Sequence, residues 1–361
     1  MTPETGMKIF TCSSCQNGIF FENNLCSHCS HPLSFDSETL SMHALSPADE
    51  TDSFYIIGND ESHQHVPRSY CTNHDHGACN WLTPTGTTGL CQACGMNRTI
   101  PNLMETGSHD AWARFEHAKK RLIYQLLRMR LPFDEGADGT AGLSFSFARG
   151  ENTGHLDGEV SVDFKEADVV WRESQRQAFN EPYRSLLGHL RHESGHYFWM
   201  RLIEQSNRLD AFRDLFGDER EDYAAAIARH HESDPPADWP EHYVSAYASA
   251  HPWEDWAETW AHYLHMVDAL ETAQAWRINP GADPAKSQEQ WQQNPKDIYR
   301  DEDFDGLVQQ WVPLTIALNS LSRSMGHDDF YPFVISDNAR TKLRFIHDAV
   351  HTAGTAPPAE A

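Results

Sequence analysis

Apolar residues recur at helical spacing over most of the chain beyond position 108. Trp112, Phe115, Leu122, Ile123, Leu126 and Leu127 share one face of a helix that Ser108, His109 and Asp110 are placed to cap and Pro132 to end. Alternating positions at 143–148 and 159–164 predict strands of a small sheet. After them the pattern is helical over 166–179, 182–205, 220–231, 253–276, 304–325 and 338–351. Residues 277–303, with several prolines and many Gln, Asp and Lys, predict a long excursion, and the small, Pro-bearing tail 353–361 predicts disorder. Before position 108 the pattern is irregular. Its one strand signal is Phe54-Tyr55-Ile56-Ile57, set inside a stretch rich in Ser, Asp, Glu and His.

That irregular region holds every cysteine. Cys12-x-x-Cys15 and Cys26-x-x-Cys29 form a compact unit with the spacing of two knuckles gripping one tetrahedral zinc. Cys71, Cys79 and Cys91-x-x-Cys94 form a second, looser unit, in which His74 and His76 compete as ligands. With no secretory layout at Met1 to Phe10 and no apolar run near the roughly 18 residues of a membrane span, a cytoplasmic location is expected. There, grouped cysteines read as metal ligands rather than disulfides.

The helical pattern at 182–205 carries His192-Glu193-Ser194-Gly195-His196. Two imidazoles one turn apart point at one metal, and the carboxylate after the first sits beside a metal-activated water as general base. His189, His192, Glu193 and His196 fall within about 100° of one another, while Leu186, Leu187, Leu190, Tyr197 and Phe198 cover much of the rest. The helix is therefore expected to be buried, and buried histidines with a glutamate cost several kcal/mol unless paired or bound to metal. A hydrogen-bonded core is the rival explanation. Gly188 and Gly195, seven apart, predict the close approach of a neighbouring segment.

A hydrolytic zinc needs a third protein ligand and an open position. None follows His196 on its own helix, so it is sought at residues 251–265. There Trp253, Trp256, Trp260 and Leu264 form an apolar face, opposite Glu254, Asp255, Glu258, His262 and His265. A face of carboxylates and histidines without Lys or Arg suits a metal and the groups that orient its ligands, although a solvent face would look alike. Glu258, flanked by Ala257 and Ala261, is the expected third ligand, with Glu254 as fallback and Asp255 and His262 behind them. Tyr247 is the expected oxyanion donor, with Tyr243, His251 and His189 as other candidates.

Charge narrows the partners. The formal net charge is −25, and residues 1–107 carry three Lys/Arg against eleven Asp/Glu, so no nucleic acid or anionic membrane is expected. A peptide or protein substrate fits, as does a protein partner for the cysteine module.

The cysteine module, Glu181-Pro182-Tyr183-Arg184-Ser185-Leu186-Leu187-Gly188-His189-Leu190-Arg191 leading into the His192 motif, and His251-Pro252-Trp253-Glu254-Asp255-Trp256-Ala257-Glu258 together resemble the bacterial zinc-ribbon, zinc-binding metallopeptidase family. The similarity runs from about Cys12 to near His351. It implies a helical, zincin-like peptidase domain behind a zinc ribbon, with His192 and His196 as ligands and Glu193 as base. The expected architecture is therefore α+β: a zinc-ribbon module over residues 1–105 with two four-cysteine sites, a mainly helical zincin-like metallopeptidase domain with a small sheet over 106–352, and the tail. One catalytic and two structural zinc ions are expected. The expected activity is peptide hydrolysis, with two rivals: a zinc-ribbon adaptor whose helical domain holds a structural metal, and a zinc amidase acting on non-protein amides or isopeptides.

Overall fold

Short strands broken by turns build the N-terminal part of the computed structural model, which describes residues 9–49, 52–58, 66–136, 139–150, 153–179, 181–204, 206–278 and 297–355. Strands β1 (Ile9–Thr11) and β2 (Gly18–Phe20) pair antiparallel around the first cysteine knuckle. Strands β3 (Leu33–Asp36), β4 (Ser41–Pro47) and β5 (Phe54–Ile57) form an antiparallel sheet, the last at the expected strand. Phe21, Phe35 and Trp81 leave this module as an aromatic wedge, with ring centroids 4.9 Å and 4.6 Å apart for successive pairs.

The wedge docks on Tyr124 of α1 (Ser108–Met129), the helix expected from the apolar spacing. Its cap differs from the expectation. Gly107, at φ 80°, precedes the helix without a side-chain cap, so Ser108, His109 and Asp110 lie in the first turn, where the Asp110 carboxylate still favours the positive end of the helix dipole. Strand β6 (Asn97–Thr99) then joins β7 (Ser144–Ala148), β8 (Gly154–Leu156) and β9 (Glu159–Asp163) in a four-stranded sheet of order β6-β7-β9-β8. Only β8 runs antiparallel to its neighbour. Because β6 precedes position 105, the sheet spans the expected boundary, and one apolar core runs from Phe10 to Val350.

Helices follow: α2 (Val169–Ala178), α3 (Leu186–Trp199), α4 (Leu209–Phe216), α5 (Tyr223–Glu232), α6 (Pro252–Ala275), α7 (Phe304–Ser324) and α8 (Asp337–Thr355). The sequence pattern does not reveal α4, whose Phe212 and Phe216 pack on Trp256. Residues 279–296 of the expected excursion lie outside the described residues, but its end is core: Ile298 and Tyr299 are buried, and the Tyr299 hydroxyl donates to Glu271 at 3.0 Å. Helix α8 also runs past 352. Its Gly354 lies so close to the Met129 carbonyl that no Cβ would fit, so 353–354 belong to the domain, while 356–361 lie outside the described residues. Among the described residues no helix is long and apolar enough to cross a membrane.

The contact that positions the site is α3 on α6. Ser185 caps α3, its hydroxyl accepting from Gly188 N–H at 3.0 Å. Pro252 starts α6 at a position where its missing N–H costs nothing, and the His251 ring accepts from Trp253 N–H at 3.0 Å. Gly195 lets the helices touch: a Cβ there would stand 2.9 Å from Ala257 Cα and 3.1 Å from Trp260 Cδ1. Trp256 and Trp260 then donate their indole N–H groups to the Gly195 carbonyl and the Ser194 hydroxyl, at 2.8 and 3.1 Å. Gly195→Ala is therefore expected to push the helices apart and cost about 1–3 kcal/mol. Chemical denaturation checks this, and unchanged stability would mean the seam is softer than its geometry.

Candidate metal centre

In the ribbon the eight cysteines fall into two buried or half-buried groups of four, Cys12, Cys15, Cys26, Cys29 and Cys71, Cys79, Cys91, Cys94. Their closest sulfurs are 3.6–3.7 Å apart, the spacing of thiolates sharing one ion. The backbone N–H and ring of His31 hold the Cys29 thiol down at about 5, which favours the ligating thiolate. His74 and His76 do not compete with the second group. His74 Nδ1 faces the Cys79 carbonyl at 2.9 Å while its ring stacks on Tyr70, and His76 lies against His109 and Trp112.

The second group rests on α1. Lys120 Nζ donates to the Ala78 carbonyl at 2.7 Å and to Glu116 at 3.1 Å. Burial pulls its pKa down, but Glu116 and the Cys79, Cys94 and Cys91 thiols outweigh burial and hold the ammonium charged.

On the α3/α6 seam, His192, His196 and Glu254 bring their ligand atoms within 4.8 Å of one another. Both imidazole Nε2 atoms face the Glu254 carboxylate, at 3.0 and 3.7 Å. The first approach lacks hydrogen-bond alignment, leaving Glu254 Oε2 buried without a hydrogen-bond partner, as suits groups that share an ion rather than a proton. Two imidazole nitrogens and a carboxylate oxygen are a donor set zinc takes in hydrolytic sites.

Glu258, the expected third ligand, stands elsewhere. One of its oxygens meets Nδ1 of His192 at 2.7 Å, on the far side of the ring from Glu254, and the other accepts from the Ser245 hydroxyl at 2.6 Å. The carboxylate that reaches both Nε2 atoms is the fallback, Glu254, one helical turn earlier. Asp255 turns away from the group to Lys342 of α8. His262 is buried with Nδ1 2.7 Å from the Tyr331 hydroxyl. The acidic face of α6 is therefore interior rather than solvent-facing. Trp253 also leaves the expected apolar face and lies on the His196 ring, centroids 4.0 Å apart.

Electrostatics follow from this crowding. Burial disfavours the His192 cation, yet Glu254 and Glu258 raise its pKa well above the imidazole range. His196 is pushed by burial down to about 3, neutral as a ligand must be. Burial raises Glu254, but His196, His192 and the Tyr223 hydroxyl hold it at about 2. Glu193 is different: burial, with Glu254 and Glu258 adding and His192 opposing, lifts it to about 7, and its Oε2 has no hydrogen-bond partner.

Of the donor candidates, Tyr247 is half-buried with its ring 5.9 Å from His192. His251 caps α6, Tyr243 lies under Lys342 at 4.4 Å, and His189 faces Glu166 at 3.4 Å. Sequence reasoning missed Tyr223 on α5. Its hydroxyl donates to Glu254 at 2.6 Å, although 41% of the residue is exposed, so it reaches the metal group from the solvent side. No spacing in the Tyr-Ala-Ala-Ala run links it to residues 31 positions away.

The family model described as "Putative zinc-binding metallo-peptidase" matches residues 108–349, which hold the whole His/His/Glu group. The chain belongs to this metallo-peptidase family. A zinc-ribbon domain model matches residues 9–105, ahead of the metallo-peptidase domain. The chain is similar to proteins named as uncharacterized in Mycobacterium tuberculosis and Mycobacterium bovis, each 38% identical over 351 residues and covering 95% of both chains. No solved structure matches. Among the described residues the metallo-peptidase domain thus carries one His/His/Glu group suited to a catalytic zinc, and the ribbon carries two four-cysteine groups suited to structural zinc.

Proposed function

We propose that the chain is a zinc-dependent peptidase in which His192, His196 and Glu254 hold the hydrolytic ion and Glu193 is the general base. The observation that carries this reading is the convergence of two imidazoles and a carboxylate beside a buried Glu193 oxygen with no hydrogen-bond partner. Zinc bound there supplies Lewis acidity, which polarises a peptide carbonyl and acidifies water near neutral pH.

The remaining work belongs to side chains. Glu193 takes the proton from the attacking water and returns it to the leaving amine. Glu258, steadied by Ser245, accepts the His192 Nδ1 proton and so fixes the tautomer that presents Nε2. Tyr247, with Tyr223 beside the same group, offers a phenol O–H to the carbonyl oxygen as it gains charge.

The test is a peptide library incubated with the zinc-loaded full chain, with metal content measured in parallel. Cleavage of ordinary peptide bonds, abolished by chelation and restored by zinc, is the expected result. Turnover confined to isopeptides or non-protein amides would make it an amidase. A fully loaded protein that cleaves nothing would make it an adaptor with a structural ion.

A further inference from the structure

Past Glu258 the same stripe of α6 continues to His262 and His265, and these two enter the wall of a cavity of about 470 Å³. The cavity lies where the ribbon meets α6, α7 and the loop at 330–333, a junction of the kind where ligand sites concentrate. It is chemically one-sided. The charged groups around it are paired with one another, Arg121 with Glu22 and Arg191 with Asp268, and Arg191 also meets the His265 ring at 2.5 Å. His262 is engaged by the Tyr331 hydroxyl. No net charge is left to draw an ionic ligand, whereas aromatic surface is plentiful. Phe20 and Trp276 stack at the rim, 6.5 Å apart, and with Phe330 are exposed by 49%, 55% and 56%.

The cavity is also coupled to the metal group by position. His262 is eight residues after Glu254 on one helix, about 12 Å along its axis. An extended peptide covers about 3.3 Å per residue, so a side chain two to four positions from a bond held at the metal spans that gap. Neighbouring side chains connect the two places: His192 meets Glu258, Glu258 lies near enough to His262 to oppose the fall in its pKa that burial causes, and His262 meets Tyr331 in the cavity wall.

We propose that this cavity is a specificity pocket that receives a large, neutral aromatic or aliphatic side chain of the peptide substrate. The inference rests on the peptidase reading above and adds to it the class of residue recognised near the cleaved bond.

Two variants and two readouts test it on the zinc-loaded full chain. Ala269 faces the cavity from α6, so Ala269→Trp fills it, while Phe330→Ala removes an exposed rim ring with little risk to folding. In the first arm the neutral fluorescent probe N-phenyl-1-naphthylamine is titrated. Saturable binding is expected, weakened by roughly tenfold in Ala269→Trp, the size of effect that a few methylenes make in an apolar pocket. In the second arm peptides varying two to four positions from the cut are compared. Wild type is expected to favour Phe, Trp or Leu over Ala at one such position. Both variants should lose that preference through KM, by roughly tenfold, while peptides with Ala there are cleaved as before. Cleavage without side-chain preference, whether or not the probe binds, overturns the pocket and leaves the peptidase reading standing. Failure of wild type to cleave any peptide overturns the peptidase reading and the pocket with it.

Discussion

Glu193→Gln is expected to lower peptide hydrolysis by about 10²–10⁴-fold, because it removes the one group placed to carry a proton between water and the leaving amine. Zinc content should stay at three ions, one for each group found among the described residues. The fold should stay too, and this separates chemistry from collapse. Glu193 is buried with one oxygen lacking a hydrogen-bond partner, so a neutral amide of the same shape relieves a desolvated carboxylate rather than breaking an ion pair. Thermal unfolding of the two proteins should therefore match, or favour the variant. Full activity in a loaded, folded Glu193→Gln would remove the general-base role.

The second large effect distinguishes two carboxylates one turn apart. Glu254→Gln is expected to drop the zinc content from three ions to two after dialysis against a chelator, because the lost charge faced both Nε2 atoms. Glu258→Gln should keep the third ion but bind it about 10–100-fold more weakly, the usual cost of losing the partner that orients a liganding imidazole. Competition with a chromogenic chelator reads both. The reverse outcome, with Glu258→Gln losing the ion and Glu254→Gln keeping it, would return the third ligand to Glu258.

The preference for Glu258 in the sequence has a physical origin. His192, Glu193 and His196 lie on one helix, so their spacing alone aims them at a shared ion, and the cysteine pairs are just as local. Glu254 and Glu258 differ by one turn of the same stripe of α6, and periodicity cannot separate them. What separates them is the register of α6 against α3, set where Gly195 meets Ala257 and where two indole N–H groups find the Gly195 carbonyl and the Ser194 hydroxyl. The same limit hid Tyr223, whose place depends on how α5 folds back over the metal group, and it misassigned Asp255, whose partner Lys342 lies on a helix 87 residues later. The α+β architecture, the strand at 54–57 and most helices were legible from local patterns; α4 was not, its short apolar face being completed only by Trp256.

Helix α1 joins the two halves of the molecule. One side of it offers Lys120 to the second cysteine group; another offers Gln125, whose Oε1 accepts from the Arg191 guanidinium on α3, one residue before the first imidazole of the motif. Glu116 supplies the counter-charge of the Lys120 ammonium at 3.1 Å, and a buried cation stripped of such a partner costs several kcal/mol. Helix α1 therefore ties the second cysteine group to the helix that carries the His192 motif: the ammonium it offers to one and the amide it offers to the other stand on a single rod.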